Sequence, residues 1–415
     1  MVLDVTVALR LVKWYKMDTL KGNLDCAVAA VYDLLLIRGI QEMKVADEGY
    51  ILNTETASGP LKVCTGLSLR PIASGSILAT FRVGSAKDSA DGNVFVAESL
   101  DRGETWEVIC QGFRSSFQGV RGEIRASHIA QPKPGKLVAF MTWFERPEPG
   151  SKLYDAKTDR LLKSRLLAAQ SEDGGRSWDD YREIDTSPFT GCAQCGPILQ
   201  LPSKLLIPFE TYERPEGVPQ SIQTARCLPT ADGRLFDPIV TVAKDSDQKV
   251  FYWDERLAYS PNHQRPVALF WTYDRAAQKD MPIHIAWSSP DGQTWEPPRS
   301  TGVRGQIALP LPLPDGRLLA FYVHRHPLGS MRLILSNDAG RTWDLDGELV
   351  VYENMGSGQR GMAGESDFAK YWEDMSTWTF GHPAGVVLDK SSVLLAYYAG
   401  KSKECLSARW ARVEI

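Results

Sequence analysis

SEDGGRSWDD occupies Ser171–Asp180, and near-copies of its first eight residues recur along the chain. SLDRGETW begins at Ser99 and SNDAGRTW at Ser336. SSPDGQTW, from Ser288, is looser and carries Pro290 where the others have aspartate; TADGRLF, from Thr230, is looser still. Asp beside Gly favours a tight turn, because Asp bonds its own backbone and Gly accepts positive φ. The flanking runs NVFVAE, HIAWS and MRLILS have strand character. Each copy therefore reads as a hairpin turn whose Trp packs beneath a sheet.

The spacing points to the architecture. Ser99 to Ser171 is 72 residues, Ser171 to Thr230 is 59, Thr230 to Ser288 is 58 and Ser288 to Ser336 is 48. A four-stranded propeller blade takes roughly 40–50 residues plus loops. Five turns mark five blades, and the two chain ends can close a sixth. The expectation is an all-β, six-bladed β-propeller with four-stranded antiparallel blades. CLSARWARVEI at the C-terminus and the stretch around EGYILN are expected to share the last blade. Residues 1–45 are set apart as an N-terminal extension, helical or packed on the rim, and residues 46–415 as the propeller. NLDCAVAAVYDLLLIRGI in that extension is apolar with a helical rhythm, but Asp25 and Asp33 interrupt it, unlike a secretory signal.

Composition excludes several classes. The 415 residues are 43% hydrophobic and 24% charged, with a net charge of −4, as in ordinary globular proteins. Nothing basic enough for nucleic acid stands out. No run of 18 apolar residues suggests a membrane span, and a cytoplasmic protein is expected. Seven scattered cysteines do not form a disulfide framework and are expected to be reduced thiols. Cys192 and Cys195 have a metal or redox spacing, but no second pair completes a site. No cofactor and no metal is expected, and the oligomeric state is left open.

A second pattern lies between the turns. GSILATF, GKLVAFMTWF, KLLIPFETY, PVALFWTY, GRLLAFYVH and SSVLLAYYA are six similar apolar strands, taken as the second strand of each blade. Innermost strands begin about ten residues earlier, near Thr65, Arg125, Gln194, Glu255, Gln306 and His382. Those starts, and the loops after the second strands, meet on the face opposite the Asp-containing turns. The turns are thus scaffold, and chemistry belongs to the other face. There the chain offers Arg82, Lys87, Asp88 and Asp91; Glu123, Arg125, Glu145 and Arg146; Gln194, Glu210, Tyr212 and Arg214. It also offers Asp254, Glu255, Arg256, Asp274 and Arg275; Arg304, Gln306, His324, Arg325 and His326; and Trp378, His382 and Tyr397. Neighbours on a strand point to opposite sides, so one of Asp254 and Glu255 faces the channel, and Glu255 is expected to. Trp253, Trp271 and Trp378 suit either sugar stacking or core packing. His324 and His326 share one side of a strand, as metal ligands do, but lack a defined carboxylate partner.

The repeated turn resembles the Asp-box, or BNR, repeat of the sialidase superfamily, over roughly residues 60–415. That resemblance implies a propeller and a retaining glycosidase that uses a tyrosine nucleophile helped by a glutamate, with an aspartate as acid/base. It also implies three arginines on the substrate carboxylate, a task suited to the guanidinium fork. On this pattern WDERL supplies the glutamate as Glu255, FWTYDR supplies Arg275 and VHRHP supplies Arg325. AKDSADGN supplies the acid/base as Asp88 or Asp91. VCTGLSLRP places Thr65 where the first arginine belongs, so Arg70, Arg82 or Arg125 stands in. TFGHPAG places His382 where the tyrosine belongs. Gln194, Gln306 and Trp378 complete the expected substrate-binding set. The expectation is a glycosidase-like enzyme, of exo-sialidase type, acting on a carboxylate-bearing sugar. The alternatives are a non-catalytic glycan-binding propeller and a uronate-glycan lyase that uses His382 for proton transfer.

Overall fold

The six apolar runs form strands that are buried on both faces: Ile77–Gly84, Lys136–Glu145, Leu205–Thr211, Arg265–Asp274, Leu318–His324 and Ser392–Ser402. A strand apolar on both sides is stable only between two other layers. Each of these is the second strand of an antiparallel meander, and successive sheets stack face to face. The computed structural model describes residues 42–146, 148, 150, 152–155, 160–211, 224–326, 329–354 and 375–415. The expected N-terminal extension falls almost wholly outside the described residues.

Among the described residues the fold is all-β apart from one helical turn at 375–377. The first meander runs Val63–Pro71, Ile77–Gly84, Asn93–Ser99 and Glu107–Cys110. The second runs Gly122–Lys133, Lys136–Glu145, Ser164–Ser171 and Asp179–Glu183. The third has a broken inner strand, Cys192–Gln194 and Leu199–Gln200, then Leu205–Thr211, Thr224–Thr230 and Val240–Ala243. Val250–Ser260, Arg265–Asp274, His284–Trp287 and Arg299–Ser300 make the fourth. Ala308–Pro312, Leu318–His324, Ser330–Ser336 and Leu349–Glu353 make the fifth. The last meander joins Phe380–Asp389, Ser392–Ser402 and Cys405–Glu414, with Lys44–Leu52 paired on its outer edge. It meets the first through a parallel bridge at Val63 and Leu406, so those two share one eight-stranded sheet.

Apolar clusters fill the spaces between successive sheets. One draws Val94 and Leu78 from the first meander against Ile124, Trp143 and Leu167 of the second. Another sets Leu206 and Cys227 of the third against Leu257, Ala268 and Phe270 of the fourth. Fully burying one Trp removes roughly 200 Å² from water, worth on the order of 5 kcal/mol before entropy is counted.

The repeated turns share one hydrogen-bond plan. Ser99 Oγ donates to Asp101 at 2.8 Å, the Gly103 N–H donates to Ser99 Oγ at 2.7 Å, and the Thr105 N–H donates to Asp101 at 2.9 Å. Ser171, Asp173, Gly175 and Ser177 repeat it, as do Ser336, Asp338, Gly340 and Thr342. The turn Trp donates its indole N–H to the turn glycine carbonyl at 3.1 Å in both Trp106 and Trp178. Gly103 and Gly340 have φ of 96° and 79°, and an added Cβ would lie 2.4 Å from Leu394 and 2.5 Å from Ile285. Both contacts are to the preceding sheet, so the turn also clamps neighbouring sheets together.

Candidate functional site

The turns join third and fourth strands, whereas the polar loops join second and third strands, so the two sets lie at opposite strand ends. At the polar end the inner strands carry a repeated irregularity. Pairing slips between Thr65 and Ser68, Ile124 and Ala126, Trp253 and Arg256, and Gly381 and Ala384. Each slip is a β-bulge, which re-aims side chains and breaks strict alternation. Gly66, Asp254 and His382 sit at these bulges with φ of 62°, 45° and 54°. Positive φ at two non-glycine residues is a strained state that the surrounding fold must hold.

One buried ion network spans the first two meanders. Arg82 Nε donates to Glu123 Oε1 at 2.6 Å, and Arg146 donates to Glu123 Oε2 at 2.6 Å and to Asp88 at 2.9 Å. Against the burial that would raise it, Arg82, Arg125 and Arg146 hold the Glu123 carboxyl below its usual range. Arg82 is fully buried and also donates to Ala86 and Ser89 carbonyls, so its guanidinium builds the loop. Arg70 commits its donors to the carbonyls of Ile129 and Ile198. Of the three arginines left open by the sequence, Arg125 keeps the freest aspect: its side chain is 26% exposed and 3.7 Å from Asp88. Asp88 also accepts the Leu153 N–H at 3.0 Å. Asp91 is exposed and accepts the Ser85 N–H at 3.1 Å, closing a turn.

The fourth meander brings a second set. Asp254 keeps a side chain 21% exposed, with Oδ1 3.5 Å from the Arg256 guanidinium. Its N–H donates to Glu210 Oε2 at 3.0 Å. Burial raises the Asp254 carboxyl, opposed by Arg256. Burial and the Asp254 charge push Glu210 up to about 8. Glu255, expected to face the channel, is instead fully buried, and its oxygens make no hydrogen bond among the described residues. Burial, then the Glu210 charge, raise its carboxyl well above the usual range. The bulge between Trp253 and Arg256 accounts for the exchange: simple alternation would have turned Asp254 away.

Arg325 and its neighbours come from the fifth and sixth meanders. Arg325 is 2% exposed, donates from Nε to Gln306 at 2.9 Å and to the Phe380 carbonyl at 2.9 Å, and lies 3.7 Å from the centre of the Trp378 ring. Gln306 donates in turn to Asp280 at 2.8 Å. Trp378, Trp253 and Trp271 are buried and pack on one another or on arginine, so they serve the core. Arg275 contacts the Gln248 carbonyl at 2.8 Å and the Phe251 ring, away from the bulge that carries Glu255. Gln194 donates its N–H to Thr142, while its buried amide has no side-chain partner among the described residues. Among the described residues no group of three or more His, Cys, Asp or Glu is arranged to hold a metal ion.

His382, Lys87 and Tyr398, the last of which the sequence does not single out, complete the cluster. Burial lowers the His382 pKa well below the usual value, reinforced by the charges of Arg256, Lys87, Arg325 and Arg125. Lys87 Nζ donates to the Met375 and Trp378 carbonyls at 2.8 Å and to Tyr398 Oη at 3.0 Å. Burial, with Arg325, Arg125 and Arg82, lowers the Lys87 pKa well below its usual value. Tyr398, not Tyr397, faces this group; Tyr397 packs on Phe321 and Tyr352. Tyr212 and Arg214 fall outside the described residues.

Comparison with solved structures identifies the fold. A protein of unknown function from Dyadobacter fermentans superposes with a TM-score of 0.68 at 17% identity, over 90% of this chain and 99% of that one. The intramolecular trans-sialidase from Ruminococcus gnavus, bound to oseltamivir carboxylate, gives 0.57 at 11% identity, over 88% and 96%. Trypanosoma rangeli sialidase, with the inhibitor DANA, gives 0.57 at 11%, over 88% of this chain and 59% of that one. The chain has a sialidase-like fold. No family model and no curated protein matches the sequence. Among the described residues no helix is long and apolar enough to cross a membrane.

Proposed function

We propose that residues 46–415 form a closed six-bladed propeller, with residues 1–45 as an extension, and that its polar end cleaves the glycosidic linkage of a carboxylate-bearing sugar. The sheet stacking supports the closure: the fifth meander meets the sixth through Phe321 and Tyr397, and the sixth is bonded to the first. The sialidases among the structural neighbours support the substrate class. One observation carries the chemistry. Lys87 bonds Tyr398, whose ring stands 5.6 Å from His382, Arg325 bonds the Phe380 carbonyl two residues before His382, and Asp254 lies 3.5 Å from Arg256. Cations gathered around a partly open acid suit an anionic substrate that needs a proton delivered to its leaving oxygen.

In this reading Arg325 and Arg125 hold the carboxylate, and Asp254, whose carboxyl burial raises, donates the proton. Glu210, accepting the Asp254 N–H, holds the bulge that presents Asp254. Gln194 and Gln306 line the approach, and Arg275 braces the start of the inner strand through the Gln248 carbonyl. The test is cleavage of a panel of sialosides and uronate-containing oligosaccharides by the full chain, beside Arg325→Ala. Cleavage of none of them, or cleavage undiminished in Arg325→Ala, rejects the proposal.

A further inference from the structure

His382 differs from an ordinary structural histidine. His284, for comparison, fixes its ring by a 2.8 Å hydrogen bond to the Pro282 carbonyl. Neither ring nitrogen of His382 hydrogen-bonds a described residue, and its ring centre stands 5.6 Å from that of Tyr398. The backbone holds it at φ 54° on a bulge of the innermost strand, and the side chain stays partly exposed. A histidine kept in a strained conformation, with both nitrogens unengaged and cations around it, is arranged to meet a ligand.

The surrounding charges define what that ligand does to it. Four cationic side chains, Arg256, Lys87, Arg325 and Arg125, oppose protonation of the imidazole. Their facing acids are Glu123 and Asp88 beside Arg125 and Asp254 beside Arg256. An arriving carboxylate offsets the positive field, so the ring becomes a stronger base when substrate is bound. The same cations would stabilise negative charge that builds on that carboxylate during reaction.

We propose that the sugar is a 4-linked uronate and that its linkage is broken by β-elimination, with His382 as the base and Asp254 as the proton donor. This rests on the proposed function above and names its substrate and reaction. A uronate bears a hydrogen on C5, next to the carboxylate, and cations on the carboxylate acidify that hydrogen. A sialic acid bears its carboxylate on the anomeric carbon, which has no hydrogen to give. In the step, His382 takes the C5 hydrogen as a proton. The C5–H electron pair becomes the C4–C5 double bond, and the C4–O bond breaks. The leaving oxygen takes the Asp254 proton. The products are an unsaturated uronate and a shortened chain with a free hydroxyl. Imidazolium and carboxylate then reset by exchanging one proton with water, so no oxidant or other reactant is needed.

The experiment incubates the full chain with oligomers of glucuronate, galacturonate and mannuronate, and separately with sialyllactose. The expected product absorbs in the ultraviolet as a conjugated alkene and takes no oxygen from heavy-oxygen water. In D2O, recovered oligouronate should carry deuterium at C5. His382→Asn, chosen because Asn tolerates the left-handed backbone, should lose both exchange and cleavage. Asp254→Asn should keep the exchange and lose about 10²–10⁴-fold of the cleavage. A saturated product carrying heavy oxygen overturns the inference, and so does undiminished cleavage by His382→Asn. Cleavage of sialyllactose alone leaves the proposed function standing and removes this inference. No cleavage of either substrate removes both.

Discussion

At the turn end of the sheets, Asp101 and Asp173 each accept several hydrogen bonds from their own loop, Asp101 partly exposed and Asp173 exposed. Thr105 holds the Asp101 carboxyl down at about 2, and against slight burial Ser177 holds Asp173 at about 2. At the polar end, burial raises Asp254 and takes Glu210 up to about 8. One residue type thus has opposite acidities at the two ends of the same strands. The physical difference is what satisfies the charge. Backbone N–H groups in a turn favour the carboxylate, whereas burial beside a second acid favours the neutral form. Aspartate thus serves as a rigid joint at one end and carries a raised carboxyl at the other, by context alone.

The largest expected effect tests that contrast directly. Asp254→Asn should reduce turnover by about 10²–10⁴-fold, while Asp173→Asn should leave turnover per folded molecule within about twofold, since surface changes far from a site act mainly on stability. Steady-state rates of the two variants, normalised to folded protein, decide it. Equal losses would show that the two ends are not functionally distinct.

Next comes the cation set. Arg325→Lys removes the fork that reaches Gln306 and the Phe380 carbonyl together and the face that stacks on Trp378. Lys is a point charge and cannot replace those contacts. Affinity for free glucuronate, measured by calorimetry, should fall by about 10–100-fold, the equivalent of about 1.4–2.7 kcal/mol. Unchanged affinity would move anion recognition away from Arg325.

A packing change sharpens the same end. At Gly92 an added Cβ would lie 2.1 Å from the Arg82 guanidinium. Arg82 is fully buried in the Glu123 network and has nowhere to shift. Gly92→Ala should cost about 1–3 kcal/mol, as overpacking does, read from the urea midpoint at constant m-value. No change would mean that the loop carrying Asp88 and Asp91 yields easily.

How much of this was legible beforehand follows from which physics each feature obeys. The turns and second strands repeat a local pattern, so Ser99, Ser171 and Ser336 announced the sheet order. The mouth obeys tertiary rules. Strand spacing and the family pattern selected Glu255, and Tyr397 was placed at the mouth, whereas Asp254 is the partly exposed acid and Tyr398 the tyrosine beside His382. The bulge at Trp253–Arg256 moves the first by one position, and nothing in WDERL marks a bulge. Arg82 was legible as a mouth arginine but not as one locked by Glu123, because the partner lies on another sheet. His382 was visible as a departure from a family pattern. Its unengaged nitrogens were not, since they depend on what surrounds it.

The smallest expected effect concerns pH, and it reads both ends in one protein. Asp173 has a folded pKa of about 2 against an unfolded value of about 3.9. A depressed acid stabilises the fold above its unfolded pKa, and that contribution is lost as pH falls from about 4 to about 2. Glu210 is the reverse case. Its folded pKa of about 8 lies above the unfolded value of about 4.3, so the fold is favoured below about pH 4 and that advantage is lost as pH rises through about 8. Denaturation midpoints should therefore rise with pH between about 2 and 4 through Asp173 and fall between about 4 and 8 through Glu210. Asp173→Asn should flatten the acid slope and cost about 1 kcal/mol at neutral pH, the scale of a lost turn or cap hydrogen bond. Glu210→Gln keeps an oxygen to accept the Asp254 N–H and removes the titrating group, so it should flatten the slope between about pH 4 and 8 and leave the acid one intact. If Glu210→Gln leaves that slope unchanged, Glu210 is ionised in the fold at neutral pH, and the contrast between the two ends rests on Asp254 alone.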